Sequence, residues 1–170
     1  EMKKRLECGA RDPLCLEKLV SSGKKVFFEG AQATMLDVVY GPVPFVTSSR
    51  TLAGAAYVGG DLSSRHHKKT VGVAKAIMSR VGNGPFVSEF GRKKSEEYCA
   101  EDGGRAHMKE SEIKDYDTEK LLKSEDLFEI GIGLRMLGHE YGATTKRPRR
   151  IGMLDLVMLR QNCMINAVDE

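Results

Sequence analysis

The chain has 170 residues, 41% of them apolar and 30% charged, with a formal net charge of +3. A chain of this length can bury enough surface to fold without disulfides or a structural metal, and this balance excludes a disordered tail, a collagen and a mucin-like stalk. The weak net charge fixes no partner by itself, so the distribution of charge matters more. Four scattered cysteines (Cys8, Cys15, Cys99, Cys163) form no C-x-x-C pair, which argues against a disulfide scaffold or zinc ribbon and fits reduced thiols in a cytosol. No apolar run approaches the ~18 residues of a membrane span, and no signal-like stretch follows the first five residues. A start at Glu1 rather than Met is expected of a portion of something longer.

In chain order, residues 1–10 read as a short polar helix. Asp12-Pro13 reads as a cap and first turn, Leu14 to Val20 as a helix, and Gly23 as its left-handed stop. Lys24 to Phe28 gives a strand signal that runs into Glu29-Gly30-Ala31-Gln32, the kind of strand end where open α/β sheets hold ligands. Residues 34–49 are irregular and rich in hydroxyls. Leu52 to Gly60 is packed with Ala and Gly and suits close approach to a neighbour. His66 to Lys69 reads as an exposed basic bend, and Thr70 to Val81 as a strand closed by Gly82-Asn83-Gly84-Pro85. The charged stretch 91–118 reads as a surface insertion, helical around Ser95–Cys99, with Gly103-Gly104 inside it. Leu121 to Leu137 predicts a helix with Gly131 and Gly133 as weak points, and Leu154 to Val168 another. No repeat or linker divides the chain, so residues 1–170 read as one domain.

Two segments could carry chemistry. Thr144 to Arg150 places four cations in five positions around Pro148, just after Gly142. Guanidinium groups pair bidentately with carboxylate or phosphate, and threonine hydroxyls add donors. The segment is a recognition loop for an anionic small molecule, or else a solvated basic turn, a targeting signal or a nucleic-acid patch. Gln32 with Thr47, Ser48 and Ser49 offers an amide and hydroxyls suited to a polar heterocycle or a phosphate; the alternative is ordinary turn chemistry. The adjacent pair His66-His67 lacks metal-ligand spacing. Gly82-Asn83-Gly84 is not a dinucleotide fingerprint, and no Walker-type phosphate loop occurs.

Five motifs occur in a fixed order: Phe28-Glu29-Gly30-Ala31-Gln32, Pro44-Phe45-Val46-Thr47-Ser48-Ser49, Arg80-Val81-Gly82-x-Gly84-Pro85-Phe86, Glu140-Tyr141-Gly142-Ala143-Thr144-Thr145 and Arg147-Pro148-Arg149-Arg150-x-Gly152-x-Leu154-Asp155. In order and spacing this set resembles the adenylosuccinate synthetases, over roughly residues 18 to 168. The resemblance implies an α/β fold around a mostly parallel sheet flanked by helices, a partial core like that of P-loop NTPases. It implies a homodimeric, cytoplasmic ligase that joins inosine monophosphate (IMP) to L-aspartate in purine nucleotide synthesis, with GTP as co-substrate and Mg²⁺ as metal. It further implies that Gln32, Thr47, Val81, Gly82 and Arg147 serve IMP. Ala143, Thr144, Thr145, Lys146, Arg147 and Arg149 would serve aspartate, and Arg149 also GTP.

The sequence departs from that family at Ala33, at Val38-Val39-Tyr40, at Arg50 and Met153, and at Lys146, where glycine is usual. The family's amino-terminal phosphate loop, its catalytic aspartate and histidine and its guanine-reading Lys-x-Asp are absent. No catalytic residue or metal ligand is therefore expected in this stretch, which on its own is expected to be inactive. Two other readings stay open: a non-catalytic nucleotide-binding relative, and a basic-loop nucleic-acid module. Acidic residues spread through 96–129 argue against the broad basic face the latter needs.

Overall fold

Asp12 begins the first helix. Its carboxylate accepts from Leu14 N at 3.1 Å and pairs with Lys18 at 2.7 Å, so the Asp-Pro turn launches α1 (Cys15–Ser21). The turn closes at Gly23, φ +83°, whose N–H returns to Val20 O at 2.9 Å. The computed structural model describes residues 12–60, 62–100 and 107–170. The polar helix expected over 1–10 and the Gly103-Gly104 pair lie outside those residues. Two compact units are present, Glu1–Gly72 with Arg160–Glu170, and Val73–Leu159.

In the first unit the segment 32–51 folds around one carboxylate. Asp37 is fully buried; Oδ1 accepts from Val39 N (2.9 Å) and Tyr40 N (3.0 Å), and Oδ2 from Thr51 N (2.7 Å) and Arg50 Nε (3.0 Å). Helix α2 (Ala55–Gly59) follows. A Cβ at Gly60 would sit 2.4 Å from the Phe28 ring, which explains the small residues there. Asn166 ties the carboxyl end of the chain to this unit, accepting from Ala53 N at 2.8 Å and donating to Thr34 Oγ1 at 3.1 Å. The basic bend is less open than expected: Arg65 and His66 both meet the Glu17 carboxylate on α1.

The second unit holds the sheet. β1 (Ile77–Arg80) and β2 (Arg150–Met153) pair antiparallel, with Arg80 opposite Arg150. Residues 88–90 run along the other edge of β2, through Phe90 N to Ile151 O (2.9 Å) and Met153 N to Ser88 O (3.1 Å). The helices are α3 (Lys93–Cys99), α4 (Lys109–Asp115), α5 (Thr118–Leu122) and α6 (Leu127–Leu137). The long helix expected over 121–137 is two helices, because Asp117 and Asp126 each cap a new start with side-chain bonds to backbone amides. Leu121, Phe128, Ile132 and Met136 form the core, with Tyr98 packed against it. Gly131 and Gly133 let α6 approach closely, since a Cβ would lie 3.2 Å from Phe90 and 3.1 Å from Leu121. The last helix, α7, spans Leu156–Ile165.

The class is mixed α/β, with seven α-helices and one two-stranded sheet among the described residues. That sheet is antiparallel, whereas mostly parallel strands were expected. The reason is pairing rather than propensity. Lys24 to Phe28 has the apolar pattern of a strand but no ladder partner among the described residues, and Phe27 is 82% exposed. In the segment 70–81 only Ile77–Arg80 joins β2, because Thr70 and Gly72 bond instead to Asp169 and Glu170. The charged stretch 91–118 carries exposed residues but also buries Ser95, Cys99 and Glu112.

Burial alone would raise the Asp37 pKa; the amides of Tyr40, Thr51 and Val39 and the Arg50 guanidinium outweigh it and hold the carboxyl well below its usual value of 3.8. A depressed native pKa gives stability that is complete above the unfolded value and lost as pH falls toward the native one. Thermal melting between about pH 5 and pH 2 should therefore show a steeper loss for the native chain than for Asp37→Asn, which starts several degrees lower.

Candidate functional site

In the first unit Gln32 and Thr47 lie together. Gln32 takes φ +70°, and its Oε1 accepts from Ser49 Oγ at 2.8 Å. Thr47 Oγ1 donates to Leu36 O at 2.8 Å and lies 3.3 Å from Ser49 Oγ. Asp37 lies between them in sequence and is held by Val39 and Tyr40 before Thr47 and by Arg50 and Thr51 after it, so the buried carboxylate fixes the chain on both sides of this hydroxyl row. Gln32 is exposed and Thr47 half-buried, a row of hydrogen-bonding groups suited to a polar ligand.

In the second unit the Arg-rich turn is a short hairpin. Gly142 N donates to Arg147 O at 2.9 Å and Arg149 N to Glu140 O at 3.1 Å, and Tyr141 bridges to Pro148. These bonds form two stems, with Ala143, Thr144, Thr145 and Lys146 exposed at the tip and Arg147 half-buried below it. A Cβ at Gly142 would fall 2.6 Å from Thr145 Oγ1, so a larger residue there would turn that hydroxyl aside. Lys146 adopts φ +56°, a left-handed conformation that costs an L side chain roughly 1–2 kcal/mol.

The two arginines that end the turn are held differently. Arg150, 3% exposed, makes a bidentate fork with Glu89 (2.7 and 2.5 Å), and its Nη1 donates to Gly82 O (3.2 Å) and Gly84 O (2.8 Å). The fork brings the segment 81–84 beside the basic turn, although 66 residues of chain separate Gly84 from Arg150. Val81 stays 61% exposed, and Gly82 takes φ +68°. Arg149 donates from Nη1 to Glu140 Oε2 (2.9 Å), and Lys75 takes the other oxygen of the same carboxylate (2.5 Å). Burial opposes ionisation of Glu140, but hydrogen bonds from Lys75 and Ser79 and the charges of Lys75 and Arg149 together outweigh it, and its pKa is lowered. Arg149 Nε is buried with no protein partner among the described residues, a donor that an incoming anion would satisfy.

Sequence reading missed the buried carboxylates Asp37, Glu89 and Glu112 and the buried Arg135. Arg135 had a signal: it stands seven residues after Phe128 and three after Ile132, on the apolar face of α6. Glu89 carried no local signal, because its partner lies 61 residues away. No group of three or more His, Cys, Asp or Glu side chains that could hold a metal occurs among the described residues.

The family model for adenylosuccinate synthetase matches residues 1–170, the whole chain. The chain belongs to the adenylosuccinate synthetase family. It is 50% identical to adenylosuccinate synthetase 2 of Cupriavidus pinatubonensis, over 94% of this chain and 35% of that protein. It is 40% identical to the adenylosuccinate synthetase of Thermodesulfovibrio yellowstonii, over 90% of this chain and 28% of that one. The solved structure of fully ligated adenylosuccinate synthetase from Plasmodium falciparum matches with a TM-score of 0.68 and 34% identity, over 92% of this chain and 28% of that one. The chain thus spans about a third of the length of such adenylosuccinate synthetases.

Truncating Glu89 to alanine removes both fork bonds and leaves the buried Arg150 guanidinium with only the Glu96 carboxylate, 3.7 Å away. Unfolding of the full chain in urea should show a loss of about 3–5 kcal/mol. At position 146, Lys146→Gly should be more stable than Lys146→Ala by about 1 kcal/mol in the same measurement, since only glycine relieves the left-handed backbone.

Proposed function

We propose that this chain is part of an adenylosuccinate synthetase, residues 1–170 being a single partial domain of it that supplies IMP- and aspartate-binding segments for a GTP-dependent ligation. The observation that carries the reading is the Arg150–Glu89 fork. With the fork in place Arg150 Nη1 ties Gly82 and Gly84 to the basic turn, and the neighbouring Arg149 Nε is buried without a protein partner among the described residues, a donor suited to an anion. In this reading Gln32 and Thr47 hold the nucleotide, and Val81 and Gly82 line its pocket. The tip residues Ala143 to Lys146 meet the aspartate carboxylates, Arg147 faces both aspartate and nucleotide, and Arg149 bridges aspartate and GTP.

In the proposed reaction the γ-phosphoryl of GTP passes to the purine 6-oxygen, releasing GDP, and the aspartate amino group then displaces the 6-oxygen and its phosphoryl together as inorganic phosphate, with loss of an amino proton. Such chemistry depends on positioning and charge neutralisation, which are what a guanidinium-lined turn contributes. Mg²⁺ would offset phosphate charge when bound. Its ligands do not fit here, because Asp37, Glu89, Glu112 and Glu140 are each engaged by guanidinium, ammonium or amide donors. They are proposed to lie outside this stretch of 170 residues, as are the catalytic aspartate and histidine. No helix among the described residues is long and apolar enough to cross a membrane. A cytoplasmic homodimer is the proposed working state.

The left-handed Lys146 supports a second reading, a nucleotide-binding relative whose tip does not complete the reaction. Adenylosuccinate formation by the full-length protein that carries this chain, from IMP, aspartate and GTP, separates the two. In an active enzyme Arg147→Leu should raise the KM for aspartate roughly 10- to 100-fold, the worth of a charge-assisted hydrogen bond, and the KM for IMP much less. Unchanged aspartate kinetics would remove Arg147 from the role. An inactive full-length protein that still binds IMP by calorimetry would favour the second reading.

A further inference from the structure

Glu112 on α4 is buried, 1% exposed, and lies in the charged stretch that sequence alone places at the surface. Its carboxylate takes Arg135 Nε at 3.0 Å and Nη2 at 2.5 Å, and Oε2 also accepts from Tyr141 OH at 2.6 Å. Tyr141 lies in the entering stem of the basic hairpin, opposite Pro148. The remaining Arg135 nitrogen, Nη1, donates to Arg149 O at 3.0 Å, on the leaving stem. The Arg135 carbonyl also accepts from Glu140 N at 2.9 Å. One carboxylate thus holds one stem directly and the other through a single guanidinium. Helix α4 touches the hairpin a third time, through Lys109 N to Lys146 O at 3.3 Å.

We propose that Glu112 is a positioning residue: with Arg135 and Tyr141 it fixes the separation of the two hairpin stems, and thereby places the Arg149 side chain and the tip 143–146 for ligand. A buried ion pair seldom adds net stability over an apolar one, so the three-way arrangement is better explained by the geometry it enforces than by the energy it supplies. Arg135 is the only side chain among the described residues that bonds both Glu112 and the Arg149 backbone. Glu140, which orients the Arg149 guanidinium, is itself held at its amide by the same residue.

The kinetic half of this inference rests on the reading of 142–149 as the aspartate loop; the geometric half does not. Tyr141→Phe in the full-length protein removes one hydroxyl and leaves the Glu112–Arg135 pair intact, so the fold is retained. Amide hydrogen exchange at Gly142 and Arg149 should rise roughly tenfold, while the amides of α6 keep their native rates. Arg135→Lys, which keeps the charge but loses the fork, should do the same. The KM for aspartate should rise roughly three- to tenfold with the KM for IMP unmoved. Phe128→Leu, a core truncation of comparable destabilisation, should leave that ratio at its native value. Native exchange at Gly142 and Arg149 in a folded Tyr141→Phe protein overturns the proposal. So does an active enzyme whose aspartate KM does not respond, or responds equally to Phe128→Leu. A full-length protein that makes no adenylosuccinate defeats the functional reading alone, and the exchange rates still decide the positioning role.

Discussion

The second unit depends on two buried guanidinium–carboxylate forks, Arg150 with Glu89 and Arg135 with Glu112. Each uses two guanidinium nitrogens on its carboxylate and spends the third on backbone carbonyls of a neighbouring loop. Arginine alone among the side chains can do this, because its planar five-donor head remains charged when buried. In Arg135, burial would lower the pKa and the Glu112 partner raises it, so the cation is kept. Replacing either arginine by lysine would preserve charge while losing the fixed angle between the carboxylate and the loop. Two irregular segments, 81–84 and 140–149, are rigid to the extent that these forks are intact.

The first unit solves the same problem with the opposite charge. Asp37 gathers three backbone amides and one guanidinium, so an acceptor-only group organises donors where the arginines organise acceptors. Both devices suit chain that forms neither helix nor sheet. Irregular backbone must satisfy its polar groups one at a time, and a buried ionised side chain can serve several of them at once.

What was legible in the sequence follows from this. Helix α1, its aspartate start and its glycine stop were readable because capping is local. The basic turn and the polar cluster of Gln32, Thr47 and Ser49 were readable as groupings of hydrogen-bonding side chains. The sheet was not, because a strand exists only with a partner and β1 and β2 lie about 70 positions apart, so Lys24 to Phe28 and Thr70 to Val81 looked equally plausible and only Ile77 to Arg80 pairs. The interior carboxylates were hidden for the same reason: Glu112 sits among Lys109, Glu110 and Lys114 and has the composition of a solvated helix. The glycines of α6 were legible as exceptions but not as what they are, points where Phe90 and Leu121 press against the helix backbone.

Glu140 has a consequence of its own. Lys75 and Arg149 share that one carboxylate, so two cations are balanced by a single anion, and the Arg149 Nε hydrogen faces no acceptor among the described residues. A negatively charged guest need not break an existing ion pair to settle there, whereas an uncharged isostere leaves both the surplus charge and the desolvated donor as they were. A carboxylate or phosphate beside Arg149 would therefore gain a charge-assisted bond that an amide or ester analogue of the same shape forgoes.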